Sequence, residues 1–199
     1  MPRHAGPTRD RIVAAAATLF YGHGIRSVSV DDVAARANVT KRTLYYHFRS
    51  KDDLIAAYLT ARDEPTVTIV TGWLDETPGS IADKFAAVFR HLARLGRHPK
   101  WRGCGFLRMA SELVATPGHP ALKAGAAHKK KVEAVFAARI EAAGVSDAAA
   151  RARQIMVLFD GAFSSMLMHR DPAYAEAAGA AACALVGDEK ARGAVKRRT

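Results

Sequence analysis

Alanine holds 41 of the 199 positions. It gives the strongest intrinsic push toward helix, because it loses no side-chain entropy there and buries no polar group. No stretch alternates apolar and polar residues as a half-buried strand must. Apolar positions recur instead at three and four, and Gly, Pro and Asn fall between the periodic segments. The pattern predicts an all-α chain of about nine helices.

The helix ends are written in short local signals. Thr8 is expected to cap a first helix reaching about His23, with Ile12, Ala16, Leu19 and Phe20 on its inner stripe and Gly22 and Gly24 ending it. Ser29 with Asp32, Ser50 with Asp53, and Ser80 with Asp83 each have the spacing of a capping box. Thr40 opens a short helix running to about Phe48, and the fourth helix is expected from about Lys51 to Glu76. Later helices are expected at Cys104 to Ala115 and at Pro120 to Ala143. Two more are expected, from Ser146 onward and over 172–186, the last with Asp171 as cap and Pro172 as first helical residue.

Of the residues, 49% are hydrophobic, but the alanines account for much of that, and only 15 are aromatic. The length fits one domain, or a small head fused to a larger body, and can bury a core without disulfides. Two cysteines, Cys104 and Cys183, are too few for a disulfide scaffold. With no long apolar run and a polar start, the expectation is neither a membrane span nor a secretory leader, and a cytoplasmic setting.

The formal charge is +11, which favours a polyanionic partner. Residues 1–51 hold nine Lys and Arg against three Asp. Two further runs, Lys129-Lys130-Lys131 and Lys196-Arg197-Arg198, read as a solvated helix face and a basic tail over 188–199. Residues 28–48 follow helix-turn-helix logic. Val33, Ala37, Val39, Leu44 and Phe48 face inward, and Asn38 tolerates the left-handed turn between the helices. The outer face of the second helix keeps Thr40, Lys41, Arg42, Thr43, Tyr45, Tyr46 and His47. These are the donors and flat side chains that base edges and phosphates need. Arg42, Thr43 and Tyr45 are expected at bases. Tyr46, His47 and Lys51 are expected at phosphates, the start of the fourth helix adding its dipole. Ser29, at the head of the first of the two helices, completes the expected DNA-facing set.

The segment from Thr8 to Leu54 resembles the DNA-binding domain of the TetR family of bacterial repressors. The stretch Val39-Thr40-Lys41-Arg42-Thr43-Leu44-Tyr45-Tyr46-His47-Phe48, followed by Lys51 and Leu54, carries the resemblance. Asn38 stands where the family often has Gly, and Arg42 where a small residue is common. Gly103 to Leu107 and Asp160 to Phe163 are similar to segments in one branch of the family's effector domains. The resemblance implies a homodimeric repressor on a palindromic operator in double-stranded DNA, released by a small-molecule effector. The two heads must then sit about 34–36 Å apart to meet successive major grooves. The effector acts only through its different affinity for the bound and released states. The implied division is a helix-turn-helix head over 1–50 and an effector-binding and dimerisation domain over 51–187, with the fourth helix as lever.

An effector pocket is expected from apolar and aromatic side chains of the middle helices: Trp73, Phe85, Phe89, Leu92, Trp101, Phe106, Met109, Phe136 and Phe159. Few charges fall on these stripes, which favours an apolar or aromatic effector. Glu112 is a candidate polar anchor, with a solvent-facing or helix-pairing glutamate as the alternative. Small residues on the last two helices (Gly161, Ala162, Ser164, Ser165, Ala178, Gly179, Ala182) would let a second copy pack closely.

Other chemistries find little support. His98, Cys104 and His119 match no compact zinc spacing, so no metal is expected. No phosphate loop, carboxylate pair or nucleophile elbow appears, so neither catalysis nor a cofactor is expected. Two alternatives remain. One is a helical enzyme or ligand carrier with an incidental basic head. The other keeps the DNA binding but assigns activation, or a redox trigger at Cys104 near a helix start.

Overall fold

Local capping rules set most of the helix ends. In the computed structural model, which describes residues 5–187, the chain runs α1 (Ala5–His23), α2 (Val30–Arg36), α3 (Lys41–His47), α4 (Lys51–Asp75), α5 (Ile81–Gly96), α6 (Gly105–Glu112), α7 (Pro120–Ala142), α8 (Ala148–His169) and α9 (Ala173–Val186). No strand occurs among the described residues. None of the described helices is long and apolar enough to cross a membrane. The basic tail of 188–199 lies outside the described residues.

Ser29 and Ser80 form reciprocal capping boxes with Asp32 and Asp83. The Ser50 hydroxyl accepts from the Asp53 N–H at 3.0 Å. Asn38 sits at φ 52°, and Val39 returns its N–H to the Ala34 carbonyl. That is a Schellman stop, which closes α2 and aims the chain into α3. Gly144, at φ 73°, ends α7 the same way, with the Val145 N–H on Ile140 O.

Four helices differ from the sequence expectation at their ends. α1 begins at Ala5, ahead of Thr8, because Pro7 sits in the first turn, where its missing N–H is not needed. α6 is shorter at both ends, and beyond Glu112 the amides of Leu113 and Thr116 close tight three-residue turns. α8 begins at Ala148, after a left-handed Asp147 whose side chain caps nothing, so Ser146 is not its cap. α9 begins one residue late: Pro172 is the N-cap, while Asp171 still accepts from the Ala173 N–H at 2.9 Å.

The chain forms two compact units, with the divisions falling inside α4 and α7. The first comprises residues up to 66 together with 105–128, and the second comprises 67–104 together with 129 onward. In the first, α1, α2 and α3 pack on one another around Ile12, Ala16, Phe20, Val33, Leu44 and Phe48, all buried. Tyr58 of α4 meets Phe20 edge-on at 5.7 Å. In the second, α5, α8 and α9 pack together, and α7 adds Val132, Phe136 and Ile140 to their core. A Cβ on Gly179 would stand 2.8 Å from Phe89 Cβ, so α9 approaches α5 closely only because Gly179 has no side chain.

Candidate nucleic-acid interface

The reading helix is short and tied at both ends. Thr40 Oγ1 accepts from the Thr43 N–H at 3.1 Å, and the two hydroxyls lie 2.8 Å apart. Leu44 and Phe48 are 0% and 3% exposed and point into the head. A seven-residue helix with two inward anchors must present its other residues outward. Lys41, Arg42, Tyr45 and Tyr46 are exposed, Tyr46 at 80%. Thr43, His47 and Lys51 are half-buried. The Tyr46 and His47 rings meet edge-on at 5.2 Å, which limits both at the C-terminal end of α3.

Three expected contacts already have partners. Lys41 Nζ lies 3.0 Å from Asp31 Oδ2, and this carboxylate holds the lysine pKa above its ordinary value. The pair joins α3 to α2. The Ser29 hydroxyl donates to Asp32 Oδ2 at 2.6 Å, and the Ser29 amide donates to the same oxygen at 2.8 Å. These two bonds hold the Asp32 carboxyl below the usual range. Asp52 and Asp53 occupy the first turn of α4 and already complement its dipole. Val39, expected inside, is half-buried.

The head also receives partners that local spacing does not reveal. Arg108 Nη1 donates to the Tyr21 carbonyl at 2.7 Å, in the last turn of α1. Glu112 Oε2 accepts from the Arg26 N–H at 2.9 Å. A Cβ on Gly24 would stand 2.9 Å from that carboxylate, so this glycine, at φ 89°, admits it. Glu112 thus ties α6 to the turn between α1 and α2. In the same unit, His128 Nδ1 lies 2.8 Å from Asp63 and its ring stacks on Phe106 at 3.8 Å.

The expected effector residues fall in both units. Phe106 and Met109 belong to the first, where they are buried. Phe85, Phe89, Leu92, Trp101, Phe136 and Phe159 are core residues of the second. There Phe136 meets Phe85 edge-on at 5.3 Å and Phe159 at 5.8 Å. Trp73 is half-buried and stacks on His91 at 5.1 Å. A surface groove of about 530 Å³ in this unit is lined by other residues, among them Ile81, Lys84, Arg139, Val145 and Val186. Its cations are engaged: Arg139 forks onto Asp75 at 2.7 and 2.8 Å, and Lys84 Nζ donates to the carbonyls of Leu74 and Thr77. The Arg139 fork holds the Asp75 carboxyl below the usual range. Of these residues, Ile81 continues the apolar spacing of Phe85, Val88, Phe89 and Leu92 in the sequence.

Cys104 Sγ lies 3.6 Å from Lys129 Nζ, which pairs with Asp160 at 2.5 Å. Burial pushes the Cys183 thiol up. His98 Nδ1 accepts from the Lys100 N–H, and His119 Nδ1 accepts from the Ala121 N–H. Among the described residues no group of three His, Cys, Asp or Glu is placed to hold a metal.

The model of a family described as bacterial regulatory proteins, tetR family, matches residues 12–58. The HTH-type transcriptional regulator SrpR of Pseudomonas putida is 36% identical over 61 residues, which are 31% of this chain and 29% of that protein. The HTH-type transcriptional repressor KstR2 of Mycolicibacterium smegmatis is 27% identical over 94 residues, 44% of this chain and 46% of that protein. The matches thus span less than half the length of these curated relatives. A solved structure extends the likeness. SCO4454, a TetR-family transcriptional regulator from Streptomyces coelicolor, superposes with a TM-score of 0.75 at 30% identity, covering 90% of this chain and 94% of that one. These relatives are transcriptional regulators rather than enzymes. The head's match and this near full-length likeness agree, and the chain belongs to the TetR family of transcriptional regulators.

Proposed function

We propose that the protein is a ligand-responsive transcriptional repressor that binds a palindromic operator as a homodimer in the cytoplasm. The observation that carries this reading is the exposed face of α3. Arg42, Tyr45 and Tyr46 stand outward while Leu44 and Phe48 lock the helix from behind. Residues 1–50 act as the DNA-binding head, and 51–187 as the effector and dimerisation domain. Arg42, Thr43 and Tyr45 read bases. Tyr46, His47, Lys51 and, after exchange from Asp31, Lys41 hold phosphates, while Ser29 and Thr40 bring their backbone and hydroxyl groups to the same edge.

The partner surface is the outward side of the last two helices. Val157 is 67% and Met168 79% exposed on α8, on the same side as exposed Gly161 and Ser164. Exposed Ala177, Ala180, Ala181 and Ala184 on α9 add small residues. Ala162, Gly179 and Ala182, expected in that interface, are instead buried within the chain. The effector is an apolar or aromatic molecule that enters among Phe89, Phe136 and Phe159 and must part their edge-on contacts. Titration of inverted-repeat and scrambled duplexes at several salt concentrations tests the reading. It expects tight binding of one repeat that strengthens as salt falls. Equal, weak binding of every duplex would refute it.

A second reading keeps the DNA binding and makes oxidation of Cys104 the trigger. The contact of Lys129 Nζ with the Cys104 sulfur at 3.6 Å favours it, because oxidation of the sulfur would disturb the Lys129–Asp160 pair beside it. Operator release by peroxide that persists in Cys104→Ser would exclude this reading.

A further inference from the structure

Arg9 stands on α1, outside the stretch that the family model matches. Its guanidinium carbon lies 5.1 Å from the centroid of the Phe48 ring. Phe48 is the C-cap of α3 and is 3% exposed, whereas Arg9 is exposed. Among the described residues the Arg9 side chain meets the Phe48 ring and makes no ion pair or hydrogen bond. A guanidinium lying over a ring uses its flat face, and its N–H donors project from the edge. Those edge donors fit two oxygens of one phosphate. Lys41, by contrast, already has Asp31.

Place matters as much as chemistry. Phe48 directly follows His47 and precedes Lys51 by three residues, a stretch of at most about 10 Å of chain. A cation fixed on that ring therefore stands beside the end of the reading helix where phosphates are proposed to lie. We propose that Arg9 is a further DNA-backbone contact, a phosphate clamp from α1 held ready by its stack on Phe48. This rests on the DNA-binding reading above. Its rival is simple packing, in which the arginine stem shields Phe48 and the charge is incidental.

Two variants separate these. Arg9→Met keeps an apolar cover over the ring and removes the charge, and Arg9→Lys keeps the charge. Full-length protein is titrated with an inverted-repeat duplex and with scrambled duplexes across a salt series, and thermal midpoints are recorded. The expected result for Arg9→Met is a loss of about three- to tenfold on every duplex alike, with the salt slope shallower by about 0.9 per bound head and an unchanged thermal midpoint. Arg9→Lys is expected to keep the slope. Wild-type affinity and slope in Arg9→Met would overturn this proposal alone. A slope lost equally in Arg9→Lys would also overturn it, since charge would then not be the cause. Wild-type protein with no salt-dependent binding to any duplex would overturn the DNA-binding reading and this proposal together.

Discussion

Tyr45 and Lys51 stand six residues apart and do different work in the proposed complex. Tyr45 stands 44% exposed on the reading face of α3, whereas Lys51 begins α4. Tyr45→Ala is expected to narrow the gap between operator and scrambled DNA by about 1–3 kcal/mol. Lys51→Ala is expected to weaken all duplexes alike and to flatten the salt slope by about one unit. Competition titrations compare the two, and equal effects on specificity would contradict the division. His91 behaves differently. Burial, then Arg94 and Arg90, lower its pKa, so it stacks on Trp73 as the neutral ring at pH 7. Its native pKa lies below the unfolded value, so its contribution is complete above the unfolded value and is lost as pH falls toward the native one. Melting between about pH 7.5 and about pH 5 should show a falling midpoint, and His91→Phe should reduce that fall. Capping was the most legible feature at this scale. Ser29 with Asp32, and Ser80 with Asp83, declare themselves three residues apart. Asp147 did not, because it precedes α8 in the left-handed region and its side chain caps no amide.

Among the helices, the sequence periodicity located cores better than it located contacts. Phe85, Val88, Phe89 and Leu92 are buried on one side of α5 as their spacing requires. What covers them could not be read, because any small residue of an alanine-rich chain fits a close crossing. Gly179 illustrates this: its spacing suits a partner subunit, yet its missing Cβ makes room for Phe89. Gly179→Ala should therefore destabilise the protein. The overpacking cost of about 1–3 kcal/mol exceeds the gain of about 1 kcal/mol in helix propensity. Chemical denaturation measures the difference, and a more stable variant would show that α9 can shift. Pro65, inside α4, removes an N–H from the ladder beside the boundary between the two units.

For the molecule as a whole, the proposed dimer depends on apolar side chains that α8 leaves uncovered. Val157→Glu puts a charge in the middle of that face without touching the buried core. The expected outcome is a single subunit in sedimentation, with operator affinity reduced at least tenfold because two linked heads become one. A variant that sediments as wild type and binds DNA normally would place the interface elsewhere. The helix-turn-helix was legible because it is local, its signals running only from Ser29 to Phe48. The groove beside Lys84 and Arg139 was not, because the carboxylate that holds Arg139 stands 64 residues away in sequence.

Arg108 reaches the last turn of α1, and Glu112 the turn after it, from more than eighty residues downstream. Chimeras that exchange only the first fifty residues between regulators would therefore separate the Tyr21 carbonyl and the Arg26 amide from the side chains that bond them here. Grafting a foreign operator preference onto this body calls for transplanting the α6 segment together with the head, or for choosing a donor whose own α6 bears an arginine and a glutamate one turn apart.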